Sequence, residues 1–101
     1  MADTLGILVN TDKYLDYVIN LTKAAYGKGK RVQIFFTGNG VKLTQSAEFS
    51  KLAGMAELSI CADSFCKFGF KGDVPGVLPE GFVTQEKNSE LIAGSDRYLV
   101  F

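Results

Sequence analysis

Cys61 is the residue on which chemistry in this chain can be built. It lies in LSICADSFCKFG, residues 58–69. The apolar run that ends at Cys61 has the composition of a strand, and Asp63 or Ser64 beyond it has the character of a helix N-cap. A thiol at such a junction lies near backbone N–H groups that lack an intrahelical partner, at the positive end of a helix dipole. That setting favours thiolate over thiol and moves a cysteine from its free pKa of about 8.5 toward neutrality. The chain has no histidine, which removes imidazole-based acid–base, nucleophilic and zinc schemes. The competing reading of Cys61 is packing, since free cysteine is among the most buried residue types.

The neighbouring residues carry paired readings of the same kind. Cys66 is either a resolving thiol that closes a disulfide on Cys61, making a thiol redox sensor, or a small apolar filler on a helix face. Its five-residue spacing from Cys61 is not the Cys-x-x-Cys arrangement of tuned redox pairs. Two cysteines cannot complete tetrahedral zinc within one subunit without help from Asp63 or another chain, so no metal is expected. Lys67 and Lys71 either stabilise the thiolate or steer an acidic partner, or are simply solvated charges. Phe65, Phe68, Phe70 and Phe82 form either a dry wall around the thiol or ordinary core or subunit interface. Gly38-Asn39-Gly40 lacks the spacing of a dinucleotide or phosphate loop and reads as a turn, so no cofactor is expected.

The chain is 101 residues long and 47% hydrophobic, enough for one domain with a packed core over residues 1–101. Lys plus Arg and Asp plus Glu balance at 11 each, so no bulk field draws it to nucleic acid or an anionic membrane. No apolar stretch approaches the roughly 20 residues needed to span a bilayer, and the first residues lack the pattern of a signal peptide. Two cysteines five residues apart are not a secreted disulfide framework. A reducing cytoplasm is the expected compartment.

The elements that must position Cys61 alternate in type. Residues 4–9 are a near-continuous apolar run, the mark of a strand covered on both faces. Tyr14, Tyr17, Val18, Leu21, Ala24 and Ala25 recur at helical spacing, and Gly27 and Gly29 end that helix. Residues 31–37 are a second strand rich in branched and aromatic side chains. A weaker helix is expected over 46–53, a third strand over 55–61, and one or two helical turns over 64–68. Residues 71–83, with Pro75 and Pro79, read as loop. A last helix over 84–93 and a strand over 97–101 close the chain. Such alternation predicts a three-layer α/β/α fold of flavodoxin-like type, with a small, mainly parallel sheet of four to five strands. In these folds reactive groups gather beyond the carboxyl ends of the strands, where Asn10, Gly38, Asn39, Gly40 and Cys61 all fall.

Ile60-Cys61 with Gly69 eight residues beyond the cysteine resembles the DsrE/DsrF-like sulfur-relay family. The order of elements from Tyr14 to Phe36, then Gly40-Val41, and the closing DRYLVF of residues 96–101 also look like that family. The resemblance implies a homo-oligomer, trimer or hexamer, whose cysteine carries sulfane sulfur as a persulfide between donor and acceptor proteins. On this match Cys61 is the carrier and Gly69 the glycine. Lys67 stands where many members have arginine, and Phe68 replaces a second basic residue. The family also includes subunits without the cysteine, so a non-catalytic assembly or regulatory subunit is the alternative expectation.

Overall fold

The structure, a computed structural model, describes residues 3–101. Met1 and Ala2, where the signal-peptide reading begins, lie outside the described residues. The expected runs become strands β1 (Thr4–Val9), β2 (Arg31–Phe36), β3 (Glu57–Cys61) and β5 (Arg97–Val100), and a further strand, β4 (Phe82–Val83), forms before β5. They form one parallel sheet in the order β4-β3-β2-β1-β5. Helices α1 (Leu15–Gly27), α2 (Ala62–Lys67) and α3 (Glu86–Gly94) pack around it. This is the expected flavodoxin-like α/β/α architecture.

The strand order dictates the layers. The first three crossovers all advance the same way across the sheet, and only the connection from β4 to β5 returns. Right-handed crossovers therefore put α1, the β2–β3 connection and α2 on one face and leave α3 alone on the other. Burial follows this division. Ile7, Val9, Ile34, Phe36 and Ile60 point into the main core with Val18, Ile19, Phe49 and Phe65. The alternate residues Phe35 and Cys61 meet Leu91 of α3 in a smaller second cluster, edged by Leu8, Val83 and Tyr98.

A nine-residue helix cannot cover a five-stranded face. Where it does not reach, the amino ends of β2 and β3 are polar. Glu57 accepts from Arg31 at 2.7 Å and from Gln33 at 2.9 Å. The reading of residues 4–9 as a strand covered on both faces thus holds for β1, while β2 and β3 carry Arg31, Gln33 and Glu57 at their uncovered amino ends.

Two close approaches at β1 require glycine. A Cβ on Gly6 would lie 2.2 Å from Ser95 Oγ and 3.1 Å from Leu91, so glycine lets the end of α3 settle on β1. A Cβ on Gly40 would lie 2.1 Å from the Val9 carbonyl oxygen, where the chain leaving β2 crosses the end of β1. From Asn88 of α3, Oδ1 accepts the Tyr98 hydroxyl at 2.7 Å and ties the helix to β5.

Several elements depart from expectation. The helix expected over 46–53 is instead a 3-10 stretch, Ala47–Leu52, and a second 3-10 stretch, Gly38–Gln45, precedes it. Residues three apart eclipse in 3-10 geometry, and the pairs Val41/Thr44 and Phe49/Leu52 are all buried. Within 71–83, expected as loop, Pro79–Gly81 makes a 3-10 turn that leads into the two-residue β4. On α1 the inward stripe is Leu15, Val18, Ile19, Thr22 and Ala25, whereas Tyr14 and Tyr17 flank it in solvent. The last helix buries Leu91 and leaves Ile92 exposed.

Replacing Gly6 by alanine should force α3 off β1. The expected loss, measured as a fall in the urea midpoint at constant slope, corresponds to about 1–3 kcal/mol of overpacking.

Candidate functional site

Cys61 is the last residue of β3 and itself the N-cap of α2, two residues before Asp63 and three before Ser64. Asp63 is exposed in the first turn and Ser64 follows it. Because β3 side chains alternate, Ile60 enters the main core and the Cys61 sulfur turns to the α3 side. The expected helix dipole is small here, since α2 is only six residues long. What acts on the sulfur is a set of nearby groups, drawn from three separate connections.

Gln85, the N-cap residue of α3, donates from Nε2 to Cys61 Sγ at 3.2 Å. The same Nε2 also donates to Thr37 Oγ1, just past β2. Ser64 accepts from the Gly38 N–H at 3.2 Å, which leaves its own hydroxyl proton free to turn to the sulfur. Burial pushes the Cys61 thiol up, but the Ser64 hydroxyl and N–H, then Gln85 and Thr37, more than offset it and hold the thiol below its ordinary value. Of these contacts, Gln85 makes the formed hydrogen bond. Ser64 acts from the first turn without closing a cap bond to the sulfur. All of these donors are neutral, and Lys67 is not among them.

Cys61 is 3% exposed. Its cover is polar toward the end of the sheet, where Thr37, Ser64 and Gln85 sit, and apolar beneath, where Phe35 and Leu91 pack. The position is also special in the topology. The chain leaves β3 toward α2 on one face and leaves β4 toward α3 on the other, and Cys61 pairs with Val83 across exactly that pair of strands. Adjacent strands with diverging connections open the crevice where α/β folds place ligands.

Other expected site residues are dispersed. Asn10 is exposed at the far side of the sheet, and its N–H donates to the Phe101 carbonyl at 2.8 Å. Gly38 joins the site through Ser64, Asn39 faces solvent, and Gly40 is buried against β1. Rather than making a simple turn, these three residues open the first 3-10 stretch. Cys66 is exposed and Cys61 buried, and both are free thiols, so Cys66 does not fill an apolar helix face. Lys67, the last residue of α2, is exposed. Phe65, Phe70 and Phe82 pack together in the main core rather than around the sulfur, while Phe68 lies under Lys42, 4.9 Å from its Nζ.

Thr37 and Gln85 are the site residues that sequence reasoning missed. Thr37 had a signal, its place at the carboxyl end of β2. Gln85 had none while β4 was hidden in the expected loop. Among the described residues no cluster of three or more His, Cys, Asp and Glu side chains could hold a metal, and no helix is long and apolar enough to cross a membrane. Neither a family model nor a curated protein sequence matches the chain.

In a Cys66→Ser background, iodoacetamide alkylation of Cys61 should titrate below a free thiol. Ser64→Ala should raise that midpoint, whereas Lys67→Ala and added salt should leave it in place, because fixed neutral dipoles are not screened as a surface cation is. Since the thiol titrates lower folded than unfolded, the protein should gain stability over Cys61→Ser as pH rises through the folded value. It should keep that gain above the unfolded value of about 8.5 and lose it as pH falls.

Proposed function

We propose that this chain is a sulfur carrier that holds sulfane sulfur as a persulfide on Cys61. The observation that carries the reading is the convergence of neutral donors from Thr37, Ser64 and Gln85 on one thiol at the ends of β3 and β4. They favour the thiolate without a general base, which the chemistry requires in a protein without histidine. The Cys61 thiolate attacks the outer sulfur of a donor persulfide R–S–SH. The new S–S bond forms as the bond to R–S breaks, giving Cys61–S–SH and the thiolate R–S⁻ with no net redox change. An acceptor thiolate then takes the outer sulfur by the same displacement and regenerates the Cys61 thiolate.

Donor and acceptor are proteins or small molecules bearing thiols, and a reducing cytoplasm is the compartment in which both stay competent. The resemblance to DsrE/DsrF-like chains adds a homo-oligomer to the reading. Exposed Tyr14, Tyr17 and Val100, beside the open edge of β5, support such an assembly.

Incubation with a persulfide donor should add about 32 Da to Cys61, read by peptide mass spectrometry. The added sulfur should be lost with Cys61→Ser and retained with Cys66→Ser. Loading that survives Cys61→Ser would overturn the assignment.

The 3% exposure of Cys61 favours a second reading, an assembly subunit in which the thiol only packs. That reading requires an unloaded Cys61 after the same incubation and unchanged assembly in Cys61→Ser.

A further inference from the structure

A buried sulfur that exchanges with partner thiols must be uncovered, and the residues around Cys61 differ sharply in their freedom to do this. Phe35 and Leu91 are fully buried. Leu8, Val83, Tyr98, Thr37 and Ser64 are half-buried, and each is part of a strand or is tied to one by its neighbours. Gln85 is the exposed member of the set. Its backbone precedes α3, so its side chain can leave by rotation about its own torsions while helix and sheet stay in place. Both hydrogens of its amide are engaged, one on Thr37 Oγ1 and one on Cys61 Sγ, so the closed position bridges the ends of β2 and β3.

We propose that Gln85 is the gate and positioning residue of Cys61: closed, it covers the sulfur and donates to it, and rotated outward, it admits the partner's sulfur. This rests on the carrier reading for its purpose, but not for its measurement. No charged side chain is among the groups that shift the thiol, and the titratable residue at the edge of its cluster, Tyr98 of β5, has its hydroxyl bound to Asn88 Oδ1. Phe35 comes from β2 and Thr37 from just past it, Val83 from β4, Ser64 from α2, and Leu91 and Gln85 from α3 and its cap. The charged Asp63 and Glu86, in the first turns of α2 and α3, are exposed, and neither is among the groups that shift the thiol.

The test is the pH profile of Cys61 alkylation by iodoacetamide in the folded Cys66→Ser protein, which yields a midpoint and a high-pH plateau rate. A gate whose open form is a minor population of about 0.1–10% limits the plateau, so Gln85→Ala should raise it about tenfold or more. The same substitution should move the midpoint up, because a donor to the thiolate is lost. Gln85→Glu keeps the volume and replaces the donor by a carboxylate, so it should raise the midpoint without the full gain in plateau. A side chain that only filled space would, on removal in Gln85→Ala, wet the sulfur and move the midpoint down rather than up, so the direction of that shift separates a cover from a donor. An unchanged or lower plateau in Gln85→Ala would overturn the gate, and an unchanged or lower midpoint would overturn the positioning role. Neither readout involves sulfur transfer. Failure of persulfide loading with both readouts as expected would sink the carrier reading and leave the gate standing.

Discussion

Burial of the Cys61 sulfur sets two opposing demands, and the rest of the site follows from how they are met. Removing a thiolate from water disfavours the charged form, and no cation is drawn in to compensate. Stabilisation comes instead from hydroxyl and amide donors that must reach the sulfur from different directions. A set of dipoles of this kind works only if each is held in place, since a donor free to turn toward water contributes little. The Gly38 N–H held by Ser64 Oγ and the link from Gln85 to Thr37 supply that fixation. The site is therefore a small network in which the partners of the sulfur are themselves partnered.

Holding those partners is a task for the whole sheet. Thr37 and Gln85 follow β2 and β4 and Cys61 ends β3, and only a parallel arrangement brings the ends of these three strands to one rim. Gln85 arrives there because α3 crosses back over the second face, and α3 can lie that low because Gly6 has no side chain beneath Ser95 and Leu91. One absent methyl on β1 thus helps fix an amide above a sulfur on β3. The polar patch of Arg31, Gln33 and Glu57 completes this picture from the other end, since it allows a single short helix to suffice on that face.

The parts of this arrangement visible in the sequence are those written in local pattern. Strands β1, β2, β3 and β5 are carried by apolar runs, α1 by apolar periodicity and α3 by the polar start and glycine stop around Leu91, and Cys61 at the end of β3 follows from them. What was not visible depends on non-local pairing. β4 is two residues long, too short for any period, and exists because Phe82 and Val83 pair with Ile60 and Cys61. Without β4 nothing connects Gln85 to Cys61, 24 residues earlier. The tyrosines of α1 misled the helical stripe for a related reason. Tyr14 and Tyr17 fit the period as well as Leu15 and Val18 do, and only the position of the sheet decides which row is buried.

Neutral donors also suit a thiol that must serve in both directions. In the proposed relay Cys61 is a nucleophile when it accepts sulfur and a leaving group when it gives sulfur up. Lowering a thiol's pKa increases its thiolate fraction and its leaving ability, but reduces its intrinsic nucleophilicity with a Brønsted slope of about 0.4–0.5. A cation beside the sulfur would drive the balance far toward leaving and would also bind any anionic persulfide tightly. Hydrogen bonds opposed by desolvation give a smaller displacement and leave neither step heavily penalised. Burial is then part of the tuning as well as an obstacle, because the same cover that hides the sulfur keeps its thiolate from being stabilised too far.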